Sequence, residues 1–156
     1  MADKKLEGAG LRGQVAGQTA LSTVGKEGKG LTYRGYAIEE LAEKASFEET
    51  AFLLLNGNLP NQLQLSDYKE KLKKFRELPT ELKKVLELIP ASAHPMDVLR
   101  TGCSFLGNIE PEGDFSNQVD VADRLISIFP SIVCYWYRYS HDGLSIEAAT
   151  DHDSIG

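Results

Sequence analysis

The sequence predicts a mostly α-helical globular fold with a small β-hairpin near its N-terminus. Apolar residues recur at spacings of three and four from Ala37 onward, helix start and stop residues punctuate that pattern, and two short β-favouring stretches flank a glycine-rich turn ahead of it. At 156 residues the chain has the length of one ordinary domain, enough to bury roughly two-thirds of its unfolded surface. An apolar fraction of 42% and a charged fraction of 26% exclude collagen-like, disordered and disulfide-scaffold classes. Seventeen Lys and Arg against 23 Asp and Glu leave a net charge of -6, which argues against nucleic acid or an anionic membrane as a partner.

The β-favouring stretches are 18–24 and Leu31, Thr32 and Tyr33, separated by Gly25, Gly28 and Gly30 in a turn-rich segment. Helical periodicity then places Ile38, Leu41, Ala42 and Ala45 on one face, with Glu39, Glu40, Glu43 and Lys44 opposite. Ser46 and Glu49 form a capping box that starts a second helix at Phe47, and Asn56-Gly57 ends it because glycine accepts the left-handed C′ conformation. Leu65, Tyr68, Leu72 and Phe75 mark an amphipathic surface helix. Pro79-Thr80-Glu81 opens another, with Leu82, Val85, Leu86 and Ile89 as its stripe and Pro90 beyond it. A fifth begins at His94-Pro95-Met96-Asp97, where proline suits the first helical position and the carboxylate suits the positive first turn.

A polar loop around Glu110, Pro111, Glu112, Gly113 and Asp114 precedes the last long helix. Its stripe of Ala122, Leu125, Ile126, Phe129, Ile132, Val133 and Trp136 runs through Pro130, which is expected to kink the helix or divide it in two. Ile128, Cys134, Tyr135, Tyr137 and Tyr139 make this helix apolar nearly all round, more than a domain of this size can cover. The apolar run 125–139 is still shorter than the ~20 residues needed to cross a bilayer. Cys103 and Cys134 lack metal or redox spacing and read as buried free thiols. The charged N-terminus has no apolar core of a secretory signal, so the expected location is cytoplasmic, and the ending at 151–156 reads as an incomplete chain with a further helix to follow.

Gly8, Gly10 and Gly13 satisfy the G-x-G-x-x-G pattern, but neither the strand before nor the helix after that a phosphate cradle needs is visible, and an entry loop is the expectation. The three histidines are His94, His141 and His152. His94 precedes a proline and suits a residue closing off a helix start, while His141-Asp142 and Asp151-His152-Asp153 read as solvated turns and not as metal ligands. Lys69, Lys71, Lys73, Lys74 and Arg76 concentrate positive charge on one segment of an acidic chain, either as a solvated helix face or as contacts to a phosphate or carboxylate. In Tyr33-Arg34-Gly35-Tyr36 a guanidinium framed by aromatics is a structural fork or a cation–π stack.

Three ordered motifs carry a family resemblance: 31–38, 53–60 and 94–101, reading LTYRGYAI, LLLNGNLP and HPMDVLRT. In that order they resemble the amino-terminal third of the citrate synthase family, and the segments 135–143 and 153–156 are most similar to its bacterial 2-methylcitrate branch. On this resemblance residues 1–10 are expected to be a flexible N-terminus and 11–156 the N-terminal portion of a citrate-synthase-like helical large domain. The resemblance implies a homodimer that condenses an acyl-CoA with oxaloacetate, with propionyl-CoA as donor in the 2-methylcitrate branch and acetyl-CoA in citrate synthases proper. The CoA thioester is a substrate, and no permanently bound cofactor is expected.

In that chemistry a carboxylate removes the α-proton of the thioester while two imidazoles act on the enolic oxygen and the ketone. The family's H-G-G-A and G-F-G-H segments, which hold those imidazoles, are absent from this sequence. No catalytic residue is therefore assigned, and the 156-residue chain alone is expected to be inactive. The resemblance carries two further residue assignments: Arg12, beside Gly13, as a contact to the CoA phosphates, and Lys71 with Lys73 as substrate-contacting positions on the basic helix. The competing expectations are a non-catalytic helical binding or dimerisation module and a CoA-binding accessory domain.

Overall fold

Two successive residues in left-handed backbone decide the first fold-back in the computed structural model, which describes residues 17–25, 30–147 and 154–155. Arg34 (φ 50°) and Gly35 (φ 91°) form a two-residue turn, the arrangement whose twist matches paired strands. It joins β2 (Leu31–Tyr33) to β3 (Tyr36–Ala37), and β1 (Ser22–Val24) pairs on the other side of β2, all antiparallel. Ser22 lies opposite Tyr33 and Val24 opposite Leu31, and the Thr23 and Thr32 hydroxyls meet at 2.5 Å. The expected hairpin is present, with a third strand that its two-residue length hid from any alternation test. Tyr33-Arg34-Gly35-Tyr36 is thus a tight turn within a sheet. Helix α1 (Ile38–Lys44) follows and buries Leu41. These elements form one compact unit, which ends at Lys44, and the described residues after it form a second.

The second unit contains five helices among its described residues. Helix α2 (Phe47–Asn56) starts on the Ser46 and Glu49 capping box, in which the Ser46 N–H donates to Glu49 Oε2 at 2.7 Å. That backbone donor, with the Ser46 hydroxyl, holds the Glu49 carboxyl below its ordinary pKa. Gly57, at φ 91°, ends α2 by donating to the Leu53 carbonyl. Helix α3 (Gln62–Lys74) has its own capping box from Asn61 and Gln64. Helix α4 (Thr80–Glu87) and helix α5 (Pro95–Ile109) follow, the latter capped by His94 Nδ1 accepting the Met96 N–H at 3.2 Å. A 3-10 turn, Phe115–Asn117, leads into α6 (Gln118–Asp142).

Helix α6 contributes to both apolar cores. Ile128, Ile132, Tyr135 and Trp136 pack with Leu82 and Leu86 of α4 and Val98 and Leu106 of α5, and the Trp136 indole donates to the Ile89 carbonyl at 3.2 Å. A smaller cluster joins Ala51 of α2 to Tyr68 and Leu72 of α3, with Phe52, Ile126 and Ile155 packed against it.

Two expectations need correction. Pro130 does not divide the helix, which runs unbroken through residues 118–142. The proline is exposed, so its ring and missing donor fall on the outside while the buried stripe of Ser127, Ile128 and Ile132 passes beside it. The cysteines are free but not buried: Cys134 is exposed and Cys103 is half-buried. Cys134 lies away from the stripe that ends in Tyr135 and Trp136, on the side of α6 that includes Pro130 and the exposed Tyr137.

At Gly102 helix α5 packs tightly on α6: an added Cβ would stand 3.1 Å from Ile132 Cγ2 and 3.2 Å from its Cδ1. Ile132 is fully buried and has nowhere to retreat. Gly102→Val is expected to cost about 1–3 kcal/mol by overpacking, read as a melting temperature lowered by several degrees in thermal denaturation. An unchanged melting temperature would mean that this contact does not set the spacing of the two helices.

Candidate functional site

The polar chemistry of the second unit is concentrated where α3 crosses α6. Asp123 lies on the buried side of α6, only 2% exposed, and a carboxylate there needs donors on both oxygens. The Tyr68 hydroxyl donates to its Oδ1 at 2.8 Å and Lys71 Nζ donates to its Oδ2 at 2.5 Å. Lys71 also reaches Asp120 Oδ1 at 2.7 Å, so one ammonium bridges two carboxylates a helical turn apart. Partial burial by itself lowers the Lys71 pKa, but the bonds and charges of Asp120 and Asp123 outweigh it and hold the group above its ordinary value. Burial, then the bond to Asp123, pushes the Tyr68 hydroxyl well above the ordinary tyrosine value.

The next residue on α6, Arg124, reaches a different set of partners. Its guanidinium makes a two-pronged contact to Glu110, with Nε to Oε2 at 2.9 Å and Nη2 to Oε1 at 2.7 Å. Its Nη1 donates to the carbonyls of Phe75 and Glu77, just past the end of α3. This fork lies along a cleft of about 930 Å³ that also involves Lys74, Leu78, Cys103, Leu106 and Asn117.

The residues singled out in the sequence are not brought together. Lys71 turns toward α6, whereas Lys73 pairs with Glu70 of its own helix at 3.1 Å. Lys74 is exposed and Arg76 is buried. His94 is a helix cap, as its place before Pro95 predicts, and His141 stacks on Tyr137 with ring centroids 4.2 Å apart. Arg12, the glycine pattern at 8–13 and His152 lie outside the described residues. Among the described residues no group of three or more His, Cys, Asp or Glu side chains is arranged to hold a metal ion. None of the described helices is long and apolar enough to cross a membrane. The geometry is that of a helical scaffold with polar clamps.

Residues 10–156 match the family model described as "Citrate synthase, C-terminal domain". The chain belongs to the citrate synthase family. It is 65% identical over 153 residues to 2-methylcitrate synthase of Shewanella oneidensis, covering 98% of this chain and 41% of that protein. It is 38% identical over 149 residues to 2-methylcitrate synthase 2 of Corynebacterium glutamicum, covering 94% of this chain and 39% of that one. The solved citrate synthase of Pyrobaculum aerophilum superposes with a TM-score of 0.82 at 32% identity, over 91% of this chain and 38% of that structure. The chain thus spans about two-fifths of the length of these curated relatives.

In this citrate synthase family chain, sequence reasoning missed Asp123, Arg124 and their partners. One signal was present: Asp123 and Ser127 fall four apart on a stripe otherwise filled by Ile128, Ile132, Tyr135 and Trp136. A carboxylate on a buried stripe demands a donor from the facing helix.

The raised pKa values of Tyr68 and Lys71 have the same sign in pH linkage. Their stabilisation is complete below the unfolded values, 10.0 and 10.5, and is lost as pH rises from there through the higher folded values. Tyr68→Phe removes one of these groups, so the fall in melting temperature between about pH 9 and about pH 12 is expected to be shallower than in the parent protein. Superimposable alkaline limbs would show that the hydroxyl does not couple to folding.

Proposed function

We propose that this chain is the N-terminal part of a 2-methylcitrate synthase, which in its intact form joins propionyl-CoA to oxaloacetate and releases 2-methylcitrate and CoA. The observation that carries the proposal is 65% identity to a 2-methylcitrate synthase across 98% of the chain. A citrate synthase from Mycolicibacterium smegmatis is 38% identical over 80% of the chain, well below that value. In the reaction, deprotonation of the thioester's α-carbon creates the nucleophile that forms a carbon–carbon bond to the ketone, and water then cleaves the thioester. In this reading the described residues supply scaffold to that chemistry: His94 caps α5 and His141 stacks on Tyr137.

For the individual residues, the carboxylates around Lys71 support a structural role for its ammonium, and the Lys73 pairing with Glu70 supports the same. Arg12 is carried as the contact to the CoA phosphates. In the full-length protein, kcat/KM is expected to be higher with propionyl-CoA than with acetyl-CoA, and the isolated 156-residue chain is expected to give no turnover. A preference for acetyl-CoA would turn the reading to citrate synthase. Arg12→Ala is expected to raise KM for the acyl-CoA with little effect on kcat, and an unchanged KM would remove the assignment.

The intact enzyme is proposed to be a homodimer in the cytoplasm. Leu88 is 85% exposed and Met96 64%, at the end of α4 and the start of α5, and such side chains support a covering surface. Sedimentation of the full-length protein is expected to give twice the chain mass. A monomer at micromolar concentration would overturn this.

A further inference from the structure

Helix α2 opens with two glutamates that are put to different uses. Glu49 caps its own helix through Ser46. Glu48, one residue earlier, is fully buried at 0% exposure, where a carboxylate is tolerated only if hydrogen-bond donors replace its water. Those donors come from more than a hundred residues away in the chain. The Ile155 backbone N–H donates to Glu48 Oε1 at 2.6 Å, and the Ser154 hydroxyl donates to Oε2 at 3.1 Å. The Ile155 side chain packs at the same place, against the cluster of Ala51, Tyr68 and Leu72.

We propose that Glu48 is a positioning residue that latches the Ser154-Ile155 segment onto the α2–α3 core by accepting its backbone and hydroxyl donors. The two sides of the latch depend on each other. Without the segment, Glu48 is a desolvated carboxylate lacking these two donors, and without Glu48 the Ile155 N–H loses its acceptor in an apolar setting. Such a contact specifies one backbone path for 154–155, which apolar packing of Ile155 alone would leave free to slide. Its location in the first turn of α2 adds the favourable field of the helix N-terminus to the carboxylate.

The test is residue-resolved hydrogen exchange on the full-length protein. Glu48→Ala is expected to accelerate exchange of the Ile155 amide by about tenfold or more, since a hydrogen bond to a charged group typically contributes that much, while the α5 and α6 core amides keep their protection. Glu48→Gln, which keeps an acceptor oxygen at Oε1, is expected to restore most of the Ile155 protection. If Glu48→Ala proves too unstable to fold, Ser154→Ala removes one donor from a solvent-exposed residue and is expected to speed Ile155 exchange locally. Ile155 exchange unchanged in a folded Glu48→Ala protein, or unchanged in Ser154→Ala, would overturn the latch. A Glu48→Gln protein exchanging as fast as Glu48→Ala would overturn the role of the acceptor.

Discussion

Burial of α6 against helices on two of its sides constrains every other helix of the larger unit. The side carrying Ile128, Ile132 and Trp136 needs a wide apolar partner, and α4 and α5 together supply it through Leu82, Leu86, Val98 and Leu106. The side carrying Asp123 and Ile126 meets α3 and, through Tyr68 and Leu72, the α2 helix beyond. Neither pair of helices is long enough in isolation to be stable in water, since short helices draw their stability from tertiary packing of an apolar face. Removing α6 would leave two helical pairs without the surface that orders them.

Apolar stripes hold helices together but allow them to slide, and the polar contacts fix the register here. Asp123 and Arg124 are adjacent, so their side chains leave α6 about 100° apart. One takes the Tyr68 hydroxyl and the Lys71 ammonium on the body of α3, and the other takes the carbonyls of Phe75 and Glu77 together with Glu110 at the end of α5. A shift of α3 by one residue would break the first set and the two carbonyl contacts of the second. The buried Asp123 adds specificity more than stability, because much of the energy of its bonds offsets its own desolvation.

Much of the fold was legible in the sequence because helix ends are written in short-range chemistry. Ser46 with Glu49, Gly57, and His94 before Pro95 each act within a few residues, so their effect can be read without knowing the tertiary structure. The strand Tyr36–Ala37 was too short to show a period. That Pro130 does not divide the helix could not be read locally, because its consequence depends on which side of the helix meets solvent, a tertiary fact. Cys134 was misjudged for the same reason, since apolar neighbours in sequence do not mean apolar neighbours in space. The Lys71 carboxylate pair was the least legible feature: its partners lie 49 and 52 residues away, and no local pattern joins them. The family resemblance placed the chain, but it carried no information on the carboxylates that Lys71 meets.

The near-contact of Gly102 with Ile132 also bears on how this sequence can change over time. With so little room between the Gly102 backbone and the Ile132 side chain, volume gained at the first position has to be taken up at the second. The two positions are therefore bound to drift as a pair: a relative carrying alanine at the first site would be viable with valine or a smaller residue at the second. Homologous chains should show this trade in volume between the two sites even where the residues around them vary freely.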